Sequence, residues 1–359
     1  MINIIGAGPV GSYLAYLLAK KGEEVQLFEE HTEIGKLVQC AATFTSVLSD
    51  IIPLKNDLII NKIKRMKLIS PNNDFLDVNL KKENLVLDRS EFDKYLVNMA
   101  VDNGVKLFLG YKLLDINENE LIFKNKKIKR DILIGADGPL SLVARKSGLL
   151  SKRVFLKGMQ ARVESNFDKD AALTHLNIGE FSWIIPENEN IARVGVVCKN
   201  NSQEHFKRVY DKVKGTKKII EYQGGLIPLY DSSAKISKDG NTFLIGDAAG
   251  MVKPTTYGGI IPGLLAAKIL AKNFSDYEEE YKKNIEKDLK PGLLIRNTLN
   301  KFSDEDYNSL INLFKQEKLK EILEKYDRDF PSKFLFKLLL KEPRLLKFAL
   351  KYKETFIYK

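Results

Sequence analysis

The sequence predicts an α/β fold in which a nucleotide-binding domain is interrupted by a second, mainly antiparallel β-sheet. Three observations predict it. A strand, a glycine-rich turn and a helix open the chain. Two later predicted strands each end in a glycine followed closely by an aspartate, Asp137 and Asp247. Between them, residues 155–230 alternate apolar and polar side chains, as half-buried antiparallel strands do.

The glycine turn has the composition of a phosphate-binding loop. Gly6, Gly8 and Gly11 follow a β-branched strand at G-x-G-x-x-G spacing and precede a helix predicted over residues 12–21. The second glycine lets the backbone approach a pyrophosphate, and the helix N-terminus adds a partial positive charge. Glu29 ends the next strand, where a carboxylate can bind an adenosine ribose, and no arginine directly follows it. The pattern therefore predicts NAD or FAD in preference to NADP.

Composition describes an ordinary globular protein. The chain has 359 residues, of which 44% are hydrophobic and 29% charged. Two cysteines, Cys40 and Cys198, are too few for an iron–sulfur or Cys-rich zinc site, and the three histidines are scattered, so we predict no metal. No apolar run reaches the length of a membrane-spanning helix, and the N-terminus lacks the features of a signal peptide. The sequence therefore predicts a cytoplasmic protein.

Positive charge is concentrated at the end of the chain. The net charge is +11, and residues 330–359 contain eight Lys or Arg and two Glu. Lys333, Lys337 and Lys341 recur every four residues among apolar side chains, a pattern typical of a helix that lies on a membrane surface. Helices that pack on the protein with their lysines in water would show the same pattern. A second basic cluster, residues 124–130, lacks interleaved aromatic side chains, so we expect no nucleic-acid partner.

The domain boundaries are predicted from these patterns. The nucleotide-binding domain combines residues 1–56, 86–154 and 236–295. The inserted substrate-binding domain combines residues 57–85 and 155–235. A basic helical segment, residues 296–359, ends the chain.

Four motifs together resemble one group of flavoproteins. They are the glycine turn, Asp88-Arg89-x-x-Phe92-Asp93, Asp137-Gly138 with Ser141 and Arg145, and Gly246-Asp247-Ala248-Ala249-Gly250. In this order they resemble the FAD-dependent group that includes p-hydroxybenzoate hydroxylase. The resemblance covers roughly residues 1–270. It implies FAD as the cofactor and a discontinuous Rossmann-like FAD-binding domain.

Within that group the chain is similar to the geranylgeranyl reductase family, whose archaeal members saturate the isoprenoid chains of membrane lipids. The motifs are I-G-x-x-V-x-C from Ile34 to Cys40, Phe181-x-Trp183-x-Ile185-Pro186, and the extension of the last motif to Pro254 and Gly258-Gly259-Ile260. The family usually has proline at the position of Leu37 and glycines at those of Ala41 and Thr43. Ile185 replaces an aromatic residue, which brings the motif near the W-x-W-x-I-P of flavin halogenases.

The resemblance assigns roles to individual residues. The implied cofactor contacts are Gly6, Gly8, Val10, Gly11, Glu29, Cys40, Ala41, Arg89, Leu113, Asp247, Gly258, Gly259 and Ile260. The implied lining of a substrate tunnel is Phe181, Trp183, Ile185 and Pro186. Cys40 and Tyr257 are candidate proton donors, beside an ordered water.

The implied reaction saturates C=C bonds in geranylgeranyl chains of archaeal-type membrane lipids. Reduced flavin N5 delivers a hydride to one alkene carbon, and a proton is added to the other. Two alternatives remain open: a flavin-dependent monooxygenase or halogenase, and a non-catalytic, electron-carrying flavoprotein. The chain has no second complete dinucleotide turn, so NAD(P)H, ferredoxin and a deazaflavin all remain possible electron donors.

A polyprenyl lipid substrate has a consequence for location. Extraction of a twenty-carbon chain into water would cost about 15 kcal/mol, at about 0.8 kcal/mol per methylene. Direct transfer from a bilayer into an apolar tunnel avoids that cost. We therefore expect the basic C-terminus to hold the protein peripherally on the inner face of the cell membrane.

Overall fold

A computed structural model describes residues 1–150 and 153–351 of the chain. The chain divides into two compact units. The first unit comprises Met1–Val38, Arg89–Phe155 and Ile227–Leu289, and the second comprises Gln39–Asp88, Leu156–Leu226 and the chain from Lys290 onwards. The last eight residues of the predicted basic segment, 352–359, lie outside the described residues.

The first unit is built on a six-stranded, mostly parallel sheet. In spatial order its strands are Ser237–Lys238, Thr242–Leu244, Ile132–Gly135, Ile2–Ile5, Val25–Glu29 and Lys106–Leu109. Every residue of the central strand Ile2–Ile5 is buried, as expected for a parallel strand with both faces covered. Only the edge strand Ser237–Lys238 is antiparallel to its neighbour. The predicted Rossmann-like core is therefore confirmed.

Helices and a small sheet complete the first unit. The helices are Pro9–Ala19, Arg89–Val101, Leu142–Lys146, Ile260–Lys272 and Tyr277–Tyr281, followed by a π-helix at Lys282–Glu286, and a 3₁₀ helix spans Gly246–Ala249. The strands Leu113–Ile116, Glu120–Phe123 and Lys126–Lys129 form the small sheet, which includes much of the basic cluster at residues 124–130. Helix Lys287–Leu299 begins in this unit and continues into the second.

The second unit is built on an eight-stranded, mainly antiparallel sheet. In spatial order its strands are Lys218–Pro228, Phe155–Glu164, Ile191–Cys198, Phe181–Pro186, Ala171–His175, Ile59–Ile69, Phe75–Leu87 and Thr43–Phe44. One pair is parallel, Ala171–His175 with Ile59–Ile69. The predicted antiparallel sheet is confirmed, although the strand Ala171–His175 was not predicted.

Each face of this sheet packs against helices of its own unit. Ile184, Val194 and Val196 pack against Phe206 and Val209 of helix Ser202–Tyr210. On the opposite face, Leu76 and Val78 pack against Ile311. The helices from the end of the chain are Asp304–Phe314, Glu317–Lys325, Leu335–Lys341 and Leu345–Lys351, with a 3₁₀ helix at Pro331–Lys333. Helix Val47–Ile51 and a 3₁₀ turn at Asn56–Leu58 belong to the same unit.

The unit boundaries differ from the predicted domains, and the three longest differences have a structural reason. Residues 39–56 belong with the antiparallel sheet, because strand Thr43–Phe44 pairs with Val86 and Leu85. Residues 227–235 belong with the first unit, where the N–H of Leu229 donates to the carbonyl of Val154. The helical segment after residue 296 is part of the second unit, because its apolar side chains fill one face of that sheet.

His175 predicts a pH dependence of stability. Its side chain is 6% exposed, and burial lowers its pKa to about 4, with a further contribution from the Lys212 cation. The unfolded chain therefore binds a proton between about pH 6.5 and pH 4 that the folded protein does not, and stability falls as the pH falls. Wild type should lose about 3 kcal/mol of unfolding free energy over this window through His175.

The check is urea unfolding at pH 6.5 and pH 4. His175→Gln and His175→Asn cannot take up the proton, so both should lose less unfolding free energy than wild type over the same window. Equal losses in wild type and both variants would show that His175 does not carry this pH dependence.

Candidate cofactor site and substrate face

The glycine turn of the first unit joins strand Ile2–Ile5 to helix Pro9–Ala19. Gly6 has φ of 103°, and a Cβ there would lie 2.7 Å from the carbonyl carbon of Ala136, so only glycine fits. Gly8 has φ of −69° and ψ of 177°, which any residue adopts, and a Cβ there would meet nothing within 4 Å. The space beside Gly8 is where a pyrophosphate would approach the backbone, so the turn fits the phosphates of a dinucleotide.

Glu29 lies at the end of strand Val25–Glu29, next to this turn. Its Oε2 accepts a hydrogen bond of 2.9 Å from the N–H of Ala7, inside the glycine turn. Its Oε1 accepts the N–H of His31 at 3.0 Å and lies 2.6 Å from Nδ1 of the same residue. These bonds fix the carboxylate beside the turn, and Oε2, with the Ala7 N–H as its partner, has a further lone pair for a ribose hydroxyl.

Asp247 and Gly259 are brought together, as the implied cofactor contacts require. The 3₁₀ helix Gly246–Ala249 places the Asp247 carboxylate against the backbone of Gly259, where a Cβ would collide with Oδ1. Gly259 is the N-cap of helix Ile260–Lys272. Burial raises the pKa of Asp247, and the Arg89 and Arg153 cations lower it. The side chain of Asp247 is half-buried. Its carboxylate lies at a helix N-terminus, and the two arginines compensate its charge.

Arg153 is a residue that the sequence reasoning missed. Its guanidinium donates to the carbonyl of Pro139 at 3.0 Å and of Asp247 at 3.4 Å, and also to that of Ala248. It therefore ties the turn after strand Ile132–Gly135 to the Gly-Asp-Ala-Ala-Gly turn. No motif contains Arg153; only the fold brings these carbonyls to one arginine.

Arg89 is held by a partner from its own helix. In helix Arg89–Val101, Nε donates to Oδ1 of Asp93 at 2.7 Å and NH2 donates to Oδ2 at 3.2 Å. Burial raises the pKa of Asp93, and the Arg89 cation opposes that rise. The pair explains the spacing in the Asp-Arg-x-x-Phe-Asp motif, because residues four apart meet on one helix face.

The motif at Asp137 is largely structural. Ser141 Oγ donates to Asp137 Oδ1 and accepts the N–H of Ala144 at 2.9 Å, which caps helix Leu142–Lys146. Arg145 is exposed on that helix. Burial raises the pKa of Asp137, and its hydrogen bond from Ser141 lowers it.

Val10 and Leu113 have side chains engaged in packing. A Cβ at Gly263 would lie 2.5 Å from Cγ2 of Val10, and one at Gly246 would lie 3.3 Å from the same atom. Leu113 is only 7% exposed. The group of Val10 that suits a phosphate is therefore its backbone N–H at the helix N-terminus.

The loop that carries Cys40 and Ala41 starts the second unit. Cys40 is half-buried; its Sγ accepts the N–H of Ala42 at 3.2 Å, and its carbonyl accepts Nε2 of Gln160 at 3.0 Å. Just before it, Leu37 has φ of 61°, which a proline ring excludes. Leu37 therefore differs from the family's usual proline in its backbone conformation as well as in its side chain.

Tyr257 also has an unusual backbone. Its φ is 55°, a left-handed conformation that costs a bulky residue roughly 1–2 kcal/mol, and its side chain is 8% exposed. Its N–H donates to the carbonyl of Lys253 at 2.8 Å, which closes the loop before Gly258. Tyr257 and Cys40 belong to different units.

The implied tunnel residues divide between two faces of the second unit's sheet. Strand Phe181–Pro186 places Phe181, Trp183 and Ile185 on one face, because side chains alternate along a strand. Pro186 belongs with Ile184 on the other face, which helix Ser202–Tyr210 covers. The alternation therefore separates Pro186 from the other three residues, and its place in the lining stays a prediction.

Trp183 packs over a position of the neighbouring strand that has no side chain. It pairs with Gly195, where a Cβ would lie 2.5 Å from Cε2 of the indole. Indole Nε1 donates to Oε1 of Gln160 at 3.2 Å. Ile185 joins a buried apolar cluster with Ile63, Val86 and Ala172, against which Trp183, Ala41, Met66 and Leu80 pack. The same face also carries Gln160, and Arg193 lies opposite Ile185 on it, so the apolar surface suited to a hydrocarbon chain is the part around Trp183 and this cluster.

A buried ion-pair network anchors the loop of Ala41 and was not predicted. Arg193 donates to the carbonyls of Ala41 at 2.7 Å and Leu87 at 2.9 Å, and its Nε donates to Glu187 at 2.8 Å. Burial opposes ionisation of Glu187, but hydrogen bonds from Arg162 and Arg193 prevail and lower its pKa. Ala192-Arg193-Val194 resembles any core strand, so the sequence offered no indication of this role.

The two sheets and the glycine turn form a fold that is also found in a geranylgeranyl reductase-like protein and in flavin-dependent halogenases. A model for the NAD(P)-binding Rossmann-like domain matches residues 4–47. A geranylgeranyl bacteriochlorophyll reductase-like protein from Thermoplasma acidophilum superposes with a TM-score of 0.82 at 21% identity, covering 98% of each chain. A flavin-dependent brominase superposes with a TM-score of 0.72 at 16% identity, covering 96% of this chain and 98% of its own.

In sequence, the chain is similar to digeranylgeranylglycerophospholipid reductases. It is 28% identical to that of Methanocaldococcus jannaschii, over 97% of this chain and 96% of the relative. It is 29% identical to one from Methanosphaera stadtmanae, over 86% and 89% of the two chains. The predicted resemblance to the geranylgeranyl reductases is confirmed, and FAD as the predicted cofactor agrees with the flavin-dependent structural neighbours.

Gly8→Ala should separate cofactor binding from folding. A Cβ at Gly8 touches no protein atom but enters the space open to a pyrophosphate, so FAD affinity should fall at least tenfold, about 1.4 kcal/mol. The thermal unfolding of the cofactor-free protein should stay unchanged. The measurements are flavin titration by fluorescence quenching and calorimetry of the cofactor-free protein.

Gly6→Ala serves as the contrasting variant. Its Cβ would collide with the backbone at Ala136, so folding itself should be lost or strongly weakened. If a folded Gly8→Ala protein binds FAD with wild-type affinity, the turn is not part of the cofactor site.

Proposed function

We propose that the protein is an FAD-dependent reductase that saturates C=C bonds in the geranylgeranyl chains of isoprenoid membrane lipids. One observation carries the proposal: an intact dinucleotide turn in a chain similar along nearly its whole length to digeranylgeranylglycerophospholipid reductases. When bound, FAD supplies the hydride from its reduced N5. The residues of this chain bind and orient the cofactor, hold the lipid and provide the proton.

The first unit holds the cofactor in this proposal. The glycine turn binds the pyrophosphate and Glu29 binds the adenosine ribose. Asp247 accepts hydroxyl hydrogen bonds, with Arg89 and Arg153 compensating its charge. Gly258, Gly259 and Ile260 present helix N–H groups, which favour negative charge by typically 0.3–1 kcal/mol at an exposed site and up to about 2 kcal/mol when partly buried. The other two implied flavin contacts, Cys40 and Ala41, belong to the second unit.

Two side chains are candidates for the donor of the proton. An isolated alkene is a poor hydride acceptor, so a proton must reach the second carbon as the hydride reaches the first. The Cys40 sulfur is held by the N–H of Ala42, and the Tyr257 ring is buried in a closed loop. Both sites suit a fixed donor, and an ordered water would serve in their place.

Phe181, Trp183 and Ile185 line the path of the isoprenoid chain. They share one sheet face with a buried apolar cluster, so a chain that lies on this face stays out of water. Each buried methylene contributes about 0.8 kcal/mol.

A flavin-dependent halogenase or monooxygenase is the second candidate. The observation that favours it is the brominase-like fold, together with Ile185 in the W-x-I-P part of the strand motif. It requires a lasting flavin–oxygen adduct, which a reductase does not use.

The decisive experiment measures hydrogens gained by the lipid. FAD-loaded protein is incubated anaerobically with a digeranylgeranyl glycerophospholipid and dithionite, NAD(P)H or reduced ferredoxin, and products are analysed by mass spectrometry. The reductase adds two hydrogens for each bond saturated. A protein that gains reducible FAD but leaves the lipid unchanged with every donor contradicts the proposal. Halide- or oxygen-dependent modification of an aromatic compound under air would support the second candidate.

We further propose that the end of the chain docks on an anionic membrane surface. No helix of the described residues is long and apolar enough to cross a membrane. In helix Leu335–Lys341, Leu338 is buried, whereas Phe336 is 69% and Leu340 is 65% exposed. Lys333, Lys337 and Lys341 are exposed in the same region. Exposed apolar side chains beside lysines are the composition of an interfacial helix, with about 1 kcal/mol per cation near an anionic surface.

Phe336→Ser with Leu340→Ser should weaken docking without unfolding the protein. Each side chain is exposed in water and would gain apolar burial in the interface, so binding to vesicles containing anionic phospholipid should fall at least tenfold in a flotation assay. The matched control is Leu109→Ser with Leu114→Ser, two exposed leucines of the first unit, which should bind as wild type does. Equal binding of all three proteins would contradict docking through this helix.

A further inference from the structure

Gln160 is a buried polar residue in the middle of strand Phe155–Glu164 of the second unit. It is 4% exposed, and its amide makes three hydrogen bonds. Nε2 donates to the carbonyl of Cys40 at 3.0 Å and to Oε1 of Gln223 at 2.6 Å. Oε1 accepts the indole N–H of Trp183 at 3.2 Å. One amide therefore contacts a residue implied to touch the flavin and a residue implied to line the isoprenoid path.

The amide of Gln160 has only one orientation that satisfies these partners. The backbone carbonyl beside Nε2 can only accept a hydrogen bond, and the indole N–H beside Oε1 can only donate one. A flipped amide would place oxygen against oxygen and N–H against N–H. Both hydrogens of Nε2 are also used. The position of the Trp183 indole is therefore tied to that of the Cys40 backbone.

A glycine in the neighbouring strand makes room for this arrangement. Gly195 pairs with Gln160 on one side and with Trp183 on the other, so the two side chains lie on the same face of the sheet. A Cβ at Gly195 would lie 2.6 Å from Cβ of Gln160 and 2.5 Å from Cε2 of the indole. Any side chain there would separate the two residues, so their hydrogen bond depends on the glycine.

Each carbonyl of the loop from Cys40 to Ala42 accepts a hydrogen bond from the sheet. The donors are the side chains of Gln160 and Arg193 and the N–H of Leu87, at 3.0, 2.7 and 3.0 Å. Of the two side chains, only that of Gln160 is also hydrogen-bonded to a residue of the implied isoprenoid path, within the described part of the chain. Gln160 therefore links the loop to that path.

We propose that Gln160 is a positioning residue of the reductase: its amide fixes the distance between the Cys40 loop and the indole beside which the isoprenoid chain lies. The inference rests on the proposed function, since it concerns the same lipid and the same cofactor. Gln160 takes no part in hydride or proton transfer. It fixes the place of the alkene relative to the loop, and displacements of about 1 Å are enough to slow a reaction strongly.

Two substitutions separate the hydrogen bonds of Gln160. Gln160→Met keeps an unbranched side chain of similar length and removes all three bonds. Gln160→Glu keeps an acceptor for the indole N–H, whereas its ionised carboxylate cannot donate to the Cys40 carbonyl. The matched control is Gln223→Met, which removes only the third partner. Circular dichroism and thermal unfolding show which variants fold; if Gln160→Met does not, Gln160→Glu and Gln223→Met carry the comparison.

Two readouts require no catalysis and are made on the full-length protein before FAD is added. Trp183 is the single tryptophan, so its emission reports the indole. Alkylation reports the Cys40 loop, because the other cysteine, Cys198, is 2% exposed and burial raises the pKa of its thiol.

The expected results differ between the variants. Gln160→Met should shift the emission to longer wavelength, because water replaces the amide, and should speed alkylation severalfold, because the loop loses an anchor. Gln160→Glu should speed alkylation and leave the emission as in wild type. Gln223→Met should change neither.

The kinetic readout uses FAD-loaded protein and the geranylgeranyl lipid. Gln160→Met and Gln160→Glu should lower kcat about tenfold and change KM by less than about twofold, because the apolar cluster that holds the chain is intact and only the placement of the alkene changes. Gln223→Met should keep the wild-type kcat and KM.

Wild-type emission and alkylation in a folded Gln160→Met protein would overturn the inference, as would a loss of turnover that appears only in KM. An equal loss of kcat in Gln223→Met would also contradict it, because any change in the polar cluster would then have the same effect. Failure of the proposed function appears differently. In that case wild type adds no hydrogens to the lipid, while emission and alkylation still distinguish the Gln160 variants, which would confirm the link but refute its role in reduction.

Discussion

The close approach of two backbones in the first unit is the constraint on which its site depends. Gly6 follows the central strand of the parallel sheet, and Ala136 follows the neighbouring strand, so their turns meet at the carboxyl edge of the sheet. A side chain at Gly6 would force the turns apart. Helix Pro9–Ala19 can then begin at the edge with its N–H groups exposed, and Val10 packs into the spaces left at Gly246 and Gly263. The close approach at Gly6 therefore determines both the phosphate-binding geometry and the packing of the core beside it.

Charge compensation is the second organising feature, and it takes different forms in the two units. In the first unit, half-buried Asp247 keeps accessible surface beside a helix N-terminus and two arginines, which suits a residue that must bind a ligand. In the second unit, Glu187 is almost completely buried between Arg162 and Arg193, and its network anchors the loop of Ala41 through a backbone carbonyl. Removal of one partner from such a buried network typically costs 3–5 kcal/mol, because the other charge is left uncompensated.

The sheet of the second unit carries both apolar and charged side chains. The face of Trp183 and Ile185 combines an apolar cluster with Gln160 and the Arg193–Glu187 ion pair. The helices at the end of the chain cover part of that face and expose Phe336 and Leu340 on their outer side. The chemistry proposed for the protein requires two of these surfaces, an apolar path for the isoprenoid chain and an approach to a membrane.

The fold class, the dinucleotide turn and the acid after the second strand could be predicted from the sequence, because these depend on local spacing and on the backbone freedom of glycine. The sequence also indicated the reductase family, through motifs whose residues are close in the chain. The role of Arg153, the membership of residues 39–56 and of the terminal helices in the second unit, and the pairing of Pro186 with Ala192 became evident from the tertiary structure alone. These features depend on contacts between residues far apart in the chain, which leave no periodic pattern in the sequence.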